Sequence, residues 1–342
     1  MTPPCFVVPD DLVPSGGNLY NRRIGDGLGV REIAVPGTWP RPGDAAKEGL
    51  AQALAGLPDG AAVLIDGLVA CGVPDVIVPA ARRLRIAVLV HLPLADETAA
   101  PGMPGAADLD ALERETLRAV SMVVTTSDWA ARRLAYAGQV YVVRPGTDRA
   151  PLTPGTDGVT RLLCVASVTP RKGQDLHVKA LATVADLRWT CDCVGPLDRD
   201  PAYAERIRGM IAEHGLGDRL RLLGPQTGAA LAAGYAAADL VVLPSRAETF
   251  GMVVTEALAR GIPVLASAVG GVPEALGVLP GILVPPDDAS ALAAGLRRWL
   301  TEPDLRDELR NSAWRRRDEL NPWDESVRAM GVVMKQMIEE PC

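Results

Sequence analysis

Short apolar runs recur along the chain, separated by stretches of mixed polarity long enough to form helices. Phe6 to Val8, Ala62 to Ile65, Ile86 to Val90, Met122 to Thr125 and Val140 to Val143 make one series. Each is a run of strand length bounded by turn residues, the signature of a strand buried on both faces. A second series follows at Arg161 to Val168, Trp189 to Val194, Leu220 to Leu223, Leu240 to Leu243, Val264 to Ala266 and Ile282 to Val284. Strands alternating with helical segments predict an α/β protein, and the repeat of the pattern predicts two such units. Between the series, Arg149 to Gly158 is rich in Pro, Gly and polar residues and reads as a linker. The expected domains are 1–150 and 159–320. Beyond Asp304 the chain becomes charged and helical, breaks at Asn321-Pro322, and resumes from Trp323 with apolar residues at helical spacing. That predicts a terminal helix over about 323–340. The Ala-rich segment Gly228 to Ala238 reads as a packed helix by propensity, and Gly25-Asp-Gly27-Leu-Gly29 as a helix end, because it lacks the preceding strand and the spacing of a dinucleotide fingerprint.

Composition narrows the function. Of 342 residues 48% are apolar and 23% charged, as in an ordinary globular protein with a sizeable core. The net charge of −7 argues against nucleic acid or an anionic membrane surface as partner, since both select basic surfaces. No apolar run approaches the roughly 18 residues of a membrane span, and the first residues lack a basic start followed by an apolar core. The expected location is cytoplasmic. Six cysteines are scattered, mostly in apolar strands, and read as buried thiols. Cys191 and Cys193 share a strand face, the spacing of a metal or redox pair, but three histidines are too few for a histidine-rich metal centre. There is no Gly-x4-Gly-Lys-Ser/Thr loop and no Asp-x-Asp pair directly ending a strand, so a metal-independent chemistry is expected, with no resident cofactor and no metal ligands.

The richest stretch runs from Pro244 to Val264. Leu240 to Leu243 predicts a strand, Gly251 opens a helical segment, and Gly261 with Pro263 ends it before the next strand. Glu248 then lies in the loop at the carboxyl end of a strand, where open α/β sheets bind ligands, and Glu256 about one and a half turns into the helix. The free N–H groups near Gly251 and Met252 favour an anion. Arg171 and Lys172 follow a strand and precede a helix, which places two cations at the same end of the sheet. His91 follows the strand Ile86 to Val90, Asp66 ends another, and Gly16-Gly17 allows close backbone approach because no Cβ intervenes.

These residues resemble the retaining GT-B glycosyltransferases of family 4, marked by an E-x7-E motif. Glu248 and Glu256 carry the motif, supported by Gly16-Gly17, Ser167-Val-Thr-Pro-Arg-Lys-Gly173, Pro145-Gly-Thr-Asp148, Ser127 and Gly270-Gly-Val-Pro-Glu274. The resemblance implies two Rossmann-like domains facing each other across a deep cleft, with the terminal helix packed back on the first. It implies a nucleoside diphosphate sugar as donor, bound mainly by the second domain. Glu248 would bind the sugar and stabilise positive charge at the anomeric carbon, Glu256 would bind the ribose hydroxyls, and Arg171 and Lys172 the diphosphate. Thr249, Phe250, Gly251 and Met252 would complete the donor pocket. The loop Gly224 to Gly228 would touch the base, Gly16 and Gly17 the phosphates or sugar, and His91 the sugar from the first domain. By its position at a strand end alone, Asp66 could reach the acceptor, expected to be a small soluble metabolite, with Ala95 to Ala107 a mobile loop over its site. Where the family has Gly-Arg-Leu, this chain has Ala166-Ser167-Val168. A diphosphate arginine is thus missing at Ser167, and either Arg171 or Arg144 could replace it. A phosphorylase or sugar-phosphate synthase of the same fold, or a non-catalytic nucleotide-sugar-binding subunit, would share these residues. The sequence leaves the oligomeric state open.

Overall fold

The structure is a computed structural model that describes residues 4–10, 15–97, 106–134, 136, 138–278 and 280–339. It divides into two compact units, one of residues 1–146 and 321–342, the other of residues 147–320. In the first unit β1 (Cys5–Pro9), β2 (Arg31–Val35), β3 (Ala62–Asp66), β4 (Arg85–Val90), β5 (Met122–Thr125) and β6 (Val140–Val142) form one sheet. Its order is β2-β1-β3-β4-β5-β6 and every pairing is parallel. The second unit holds β7 (Arg161–Val165), β8 (Thr190–Val194), β9 (Leu220–Gly224), β10 (Leu240–Leu243), β11 (Val264–Ser267) and β12 (Gly281–Val284). These pair in parallel in the order β12-β11-β10-β7-β8-β9. Each unit is therefore an open, doubly wound α/β sheet of the Rossmann type, as the strand–helix alternation predicts.

Burial follows the period of two in the strands. In the second unit Leu162, Cys164, Leu240 and Val242 face one apolar core, while Leu163, Val241 and Leu243 face another on the opposite side of the sheet. Helices cover both faces, so these strands read as continuous apolar runs. The strand that the apolar pattern misses is β2, whose Arg31, Glu32 and Ala34 are exposed at the sheet edge. An edge strand buries little and carries charge, so it lacks the apolar run used to find the others.

The helix Trp323–Glu339 belongs to the first unit. Trp323 packs edge-on against Tyr20, with ring centroids 5.9 Å apart, and the Arg23 guanidinium sits 5.7 Å from the Trp323 ring. At the far end Arg85 donates to the carbonyls of Met337 and Ile338, satisfying groups that a helix terminus leaves unpaired.

The Pro/Gly-rich stretch after Arg149 lies inside the second unit and is fastened there. Buried Asp239 accepts from the backbone N–H groups of Thr156 (2.9 Å), Gly158 (3.1 Å) and Arg161 (3.0 Å) and from Thr156 Oγ1 (2.7 Å). One carboxylate thus ties the segment to the start of β7. Unsatisfied buried donors cost about 1–3 kcal/mol each. Asp239→Ala should lower the stability of the second unit by at least about 2 kcal/mol, read as a lower urea midpoint, and Asp239→Asn, which keeps one acceptor oxygen, should lose less.

Candidate active site

In the second sheet the chain leaves β7 toward β8 on one side and leaves β10 toward β11 on the other, although β7 and β10 are neighbours. The loops at their carboxyl ends therefore meet at the switch point of the sheet. After β7 a turn over Pro170–Lys172 ends on Gly173 at φ 70°. After β10 the loop runs from Pro244 to Gly251. A Cβ on Gly173 would strike the Pro244 carbonyl, and one on Gly270, at φ 55°, would strike the Glu248 carbonyl. Only glycine lets these segments nest so closely.

Lys172 Nζ lies 2.5 Å from Glu248 Oε1, and Ser245 Oγ donates to the same oxygen at 2.8 Å. Arg171 Nη1 donates to the Ala247 carbonyl at 3.1 Å. Glu248 is only 7% exposed. Burial pushes its pKa up, but the charges of Lys172 and Arg171 and the hydrogen bonds outweigh that, leaving it below the ordinary carboxylate range. The loop is clamped from behind by Arg246, whose fork holds both oxygens of Asp175 at 2.8 Å and whose Nε holds Asp287 at 2.8 Å. Burial raises the Asp175 pKa, yet Arg246 and the Tyr203 hydroxyl at 2.6 Å bring it to about 2.

Glu256 stands on the helix Met252–Leu258, which Gly251 caps at φ 84°. Its Oε2 accepts from the buried Tyr235 hydroxyl at 2.7 Å, and Arg260 lies 4.4 Å from the Tyr235 ring. Burial holds its pKa above the ordinary range despite Tyr235 and Arg260, and Asp148 adds to the rise. Thr249 and Met252 are partly exposed, whereas Phe250 is buried in the core beneath. Gly224 ends β9 at φ 71°, with its carbonyl accepting from Gly195 N at 2.9 Å.

A second cluster lies in the first unit, at the switch between β1 and β3. Ser15 caps the helix Gly16–Leu28. A Cβ on Gly17 would meet the His91 ring at 3.5 Å, so the helix start and the imidazole lie in contact. Asn21 Nδ2 donates to Asp66 Oδ2 at 2.5 Å, and His91 Nε2 meets Asn21 Oδ1 at 2.8 Å. Because the Asn21 amide nitrogen faces the carboxylate, its oxygen faces His91, and the imidazole proton sits on Nε2. Asp66 is buried, with its other oxygen accepting from Leu68 N at 2.8 Å, so it presents no free carboxylate. Arg144 pairs with Asp128 in this unit, whereas Arg171 stands beside Glu248. Of the segment 95–107, residues 98–105 fall outside the described residues.

Residues 154–316 match the family model of glycosyl transferases group 1. This stretch is similar to the glycosyl transferases group 1 domain. D-inositol 3-phosphate glycosyltransferase of Actinosynnema mirum is 34% identical over 226 residues, covering 59% of this chain and 54% of the relative. Its counterpart in Jonesia denitrificans is 30% identical, covering 66% of this chain and 59% of the relative. The chain thus spans about half the length of these curated relatives. Among solved structures, sucrose-phosphate synthase from Thermosynechococcus elongatus superposes with a TM-score of 0.80 at 24% identity, covering 98% of this chain and 99% of that one. Anabaena HepE, solved in complex with UDP and glucose, gives 0.75 at 19% identity, covering 97% and 99%. These structural matches show the GT-B fold, consistent with the two Rossmann-like sheets described above.

Within the stretch that matches the group 1 model, Glu248, Lys172 and Arg171 come together. Glu256, one turn into the next helix, accepts instead from the Tyr235 hydroxyl. Sequence reasoning missed Tyr235, Ser245, Arg246 and, in the first unit, Asn21. Tyr235 had one signal, as the only aromatic residue in the Ala-rich segment. The two glutamates have opposite linkage to pH. Glu248, depressed, adds stability that is complete above the ordinary carboxyl pKa and lost as pH falls through its lower folded value. Glu256, raised, adds a penalty that is absent below the ordinary value and grows as pH rises toward its folded value. Glu256→Gln should therefore raise the thermal midpoint of the free protein at neutral pH, with the gain vanishing near about pH 4, and Glu248→Gln should lower it.

Proposed function

We propose that the chain is a retaining, family 4 glycosyltransferase that moves a sugar from a nucleoside diphosphate sugar to a hydroxyl of a small soluble metabolite, in the cytoplasm and without a metal in the transfer step. The observation that carries this reading is the Lys172–Glu248 pair at the switch point of the stretch that matches the group 1 model. In the free protein the ammonium and the carboxylate neutralise each other. When a donor enters, Lys172 and Arg171 turn to the diphosphate, and Glu248, kept ionised, faces the sugar. The bond between the anomeric carbon and the diphosphate oxygen breaks, and the acceptor oxygen bonds that carbon on the same face. The acceptor proton passes to the leaving diphosphate, so no protein base is required. Glu248 stabilises the positive charge that develops on the sugar. Glu256 accepts from the ribose hydroxyls, a task for which its raised pKa is corrected once the diol donates to it.

Gly224 and its loop serve the base, and Thr249, Gly251 and Met252 line the donor through backbone and partly exposed side chains, with Phe250 beneath as packing. In the first unit His91 serves the sugar and Gly16-Gly17 the approach to it, while Asp66 acts on the acceptor side through Asn21 and His91. The names of the curated relatives support a small polyhydroxylated acceptor, the class that an inositol phosphate represents.

Loss of one preorganised charge typically costs about 2.7–4 kcal/mol in the barrier, or roughly a hundred- to a thousandfold in rate. Lys172→Ala and Glu248→Ala should each fall at least that far, and unchanged turnover in both would sink the assignment. Slow hydrolysis and thermal shift with UDP-, GDP-, ADP- and dTDP-sugars, run with EDTA and beside Glu256→Ala, should single out one donor in the wild type alone, indifferent to the chelator. Consumption of inorganic phosphate with no response to any donor would instead mark a phosphorylase.

A further inference from the structure

Beneath the Lys172 turn, four soft side chains converge in the core of the second unit. Cys164 lies on β7 directly opposite Cys193 on β8, and Cys191, two residues earlier, shares the face of Cys193. The helix Gln174–Thr183 covers this face and lowers His177 onto it. Cys164 Sγ, Cys193 Sγ and a ring nitrogen of His177 all lie within 4.8 Å of one another, and Cys191 Sγ is 4.0 Å from His177 Nε2. None of the four is more than 4% exposed. His177 Nδ1 is buried without a hydrogen-bond partner among the described residues.

A purely apolar role explains these residues poorly. Valine or leucine would fill the same volume with more apolar area. Three thiols and one imidazole are, by contrast, the ligand set of a closed four-coordinate site for a thiophilic divalent cation. The sheet supplies the three sulfurs and the covering helix the nitrogen, so the donors approach from two sides, as tetrahedral geometry requires. Metal–sulfur bonds of about 2.3 Å put sulfurs roughly 3.8 Å apart. The donors of Cys164, Cys193 and His177, all within 4.8 Å of one another, lie near that spacing, and Cys191 Sγ, 4.0 Å from His177 Nε2, stands beside this group of three.

We propose that Cys164, Cys191, Cys193 and His177 form a structural site for zinc or a similar thiophilic divalent cation. Binding forms three metal–thiolate bonds and one metal–imidazole bond, with three thiol protons released to solvent. The neutral imidazole gives its lone pair. The ion takes no part in glycosyl transfer. It ties β7 and β8 to the helix whose first turn follows Lys172, where His177 N donates to the Gly173 carbonyl at 3.1 Å, and so braces the turn that presents Lys172.

The test is direct and separate from the transferase reading. The full chain, purified under reducing conditions, is mixed with one equivalent of Zn²⁺ or Co²⁺, dialysed, and its metal content measured by mass spectrometry alongside Cys193→Ser and His177→Ala. About one ion per wild-type chain is expected, with at least a tenfold loss of retention in both variants. The cobalt form should show the intense thiolate-to-metal charge-transfer absorption and tetrahedral ligand-field bands of a sulfur-rich site. That wild-type spectrum decides the question even if the variants fail to fold. No retained metal in the wild type, full retention in both folded variants, or a cobalt spectrum lacking thiolate charge transfer would each overturn the proposal.

Discussion

Parallel pairing of β10 against β7, Leu240 opposite Leu162 and Val241 opposite Leu163, is the constraint on which the candidate site depends. Two neighbouring strands whose chains depart in opposite directions leave their terminal loops uncovered by any crossover helix. The Lys172 turn and the Glu248 loop occupy that gap together. Backbone polar groups in the strands are satisfied within the sheet, so the loops are free to aim side chains instead of completing ladders. Gly173 and Gly270 complete the arrangement by removing the Cβ atoms that would hold the segments apart.

The electrostatics then follow from burial. Glu248 and Glu256 are eight residues apart and meet opposite fates, since one is surrounded by Lys172, Arg171 and Ser245 and the other chiefly by a phenol. A carboxylate beside cations stays ionised in a poorly hydrated place, whereas one beside a neutral hydroxyl is partly uncompensated. An uncompensated carboxylate costs the free protein stability and is suited to accept hydrogen bonds from an incoming diol. The clamp of Arg246 on Asp175 and Asp287 keeps the backbone of the Glu248 loop from yielding to these forces.

The first unit repeats the architectural principle with different chemistry. Its switch point between β1 and β3 gathers Asn21, Asp66 and His91 in a chain of hydrogen bonds that sets the imidazole tautomer. Tyr20 closes the same cluster, packing edge-on against His91 at 5.3 Å and donating to the Val143 carbonyl at 2.9 Å. Trp323 of the terminal helix rests on the other side of Tyr20, so that helix supports the His91 cluster through one aromatic ring.

Eleven strands were legible because each carries an apolar run, buried throughout in central strands such as β3 and β10 and partly exposed in the edge strands β6, β9 and β12, whereas β2 was hidden because Arg31 and Glu32 interrupt its run. Glu248, Glu256, Arg171 and Lys172 were legible as well, since residue type and place at a strand end are local properties. What the sequence by itself determined was thus the α/β alternation, the doubly wound class and the residue types available at each strand end. Only the tertiary structure decided that Lys172 pairs with Glu248, that Tyr235 reaches Glu256, that Asp239 fastens a segment more than 75 residues away, and that Asp66 is enclosed by Asn21. The distinction has a physical cause: periodicity reports how one segment meets solvent, whereas these contacts depend on strand order, which no single segment encodes.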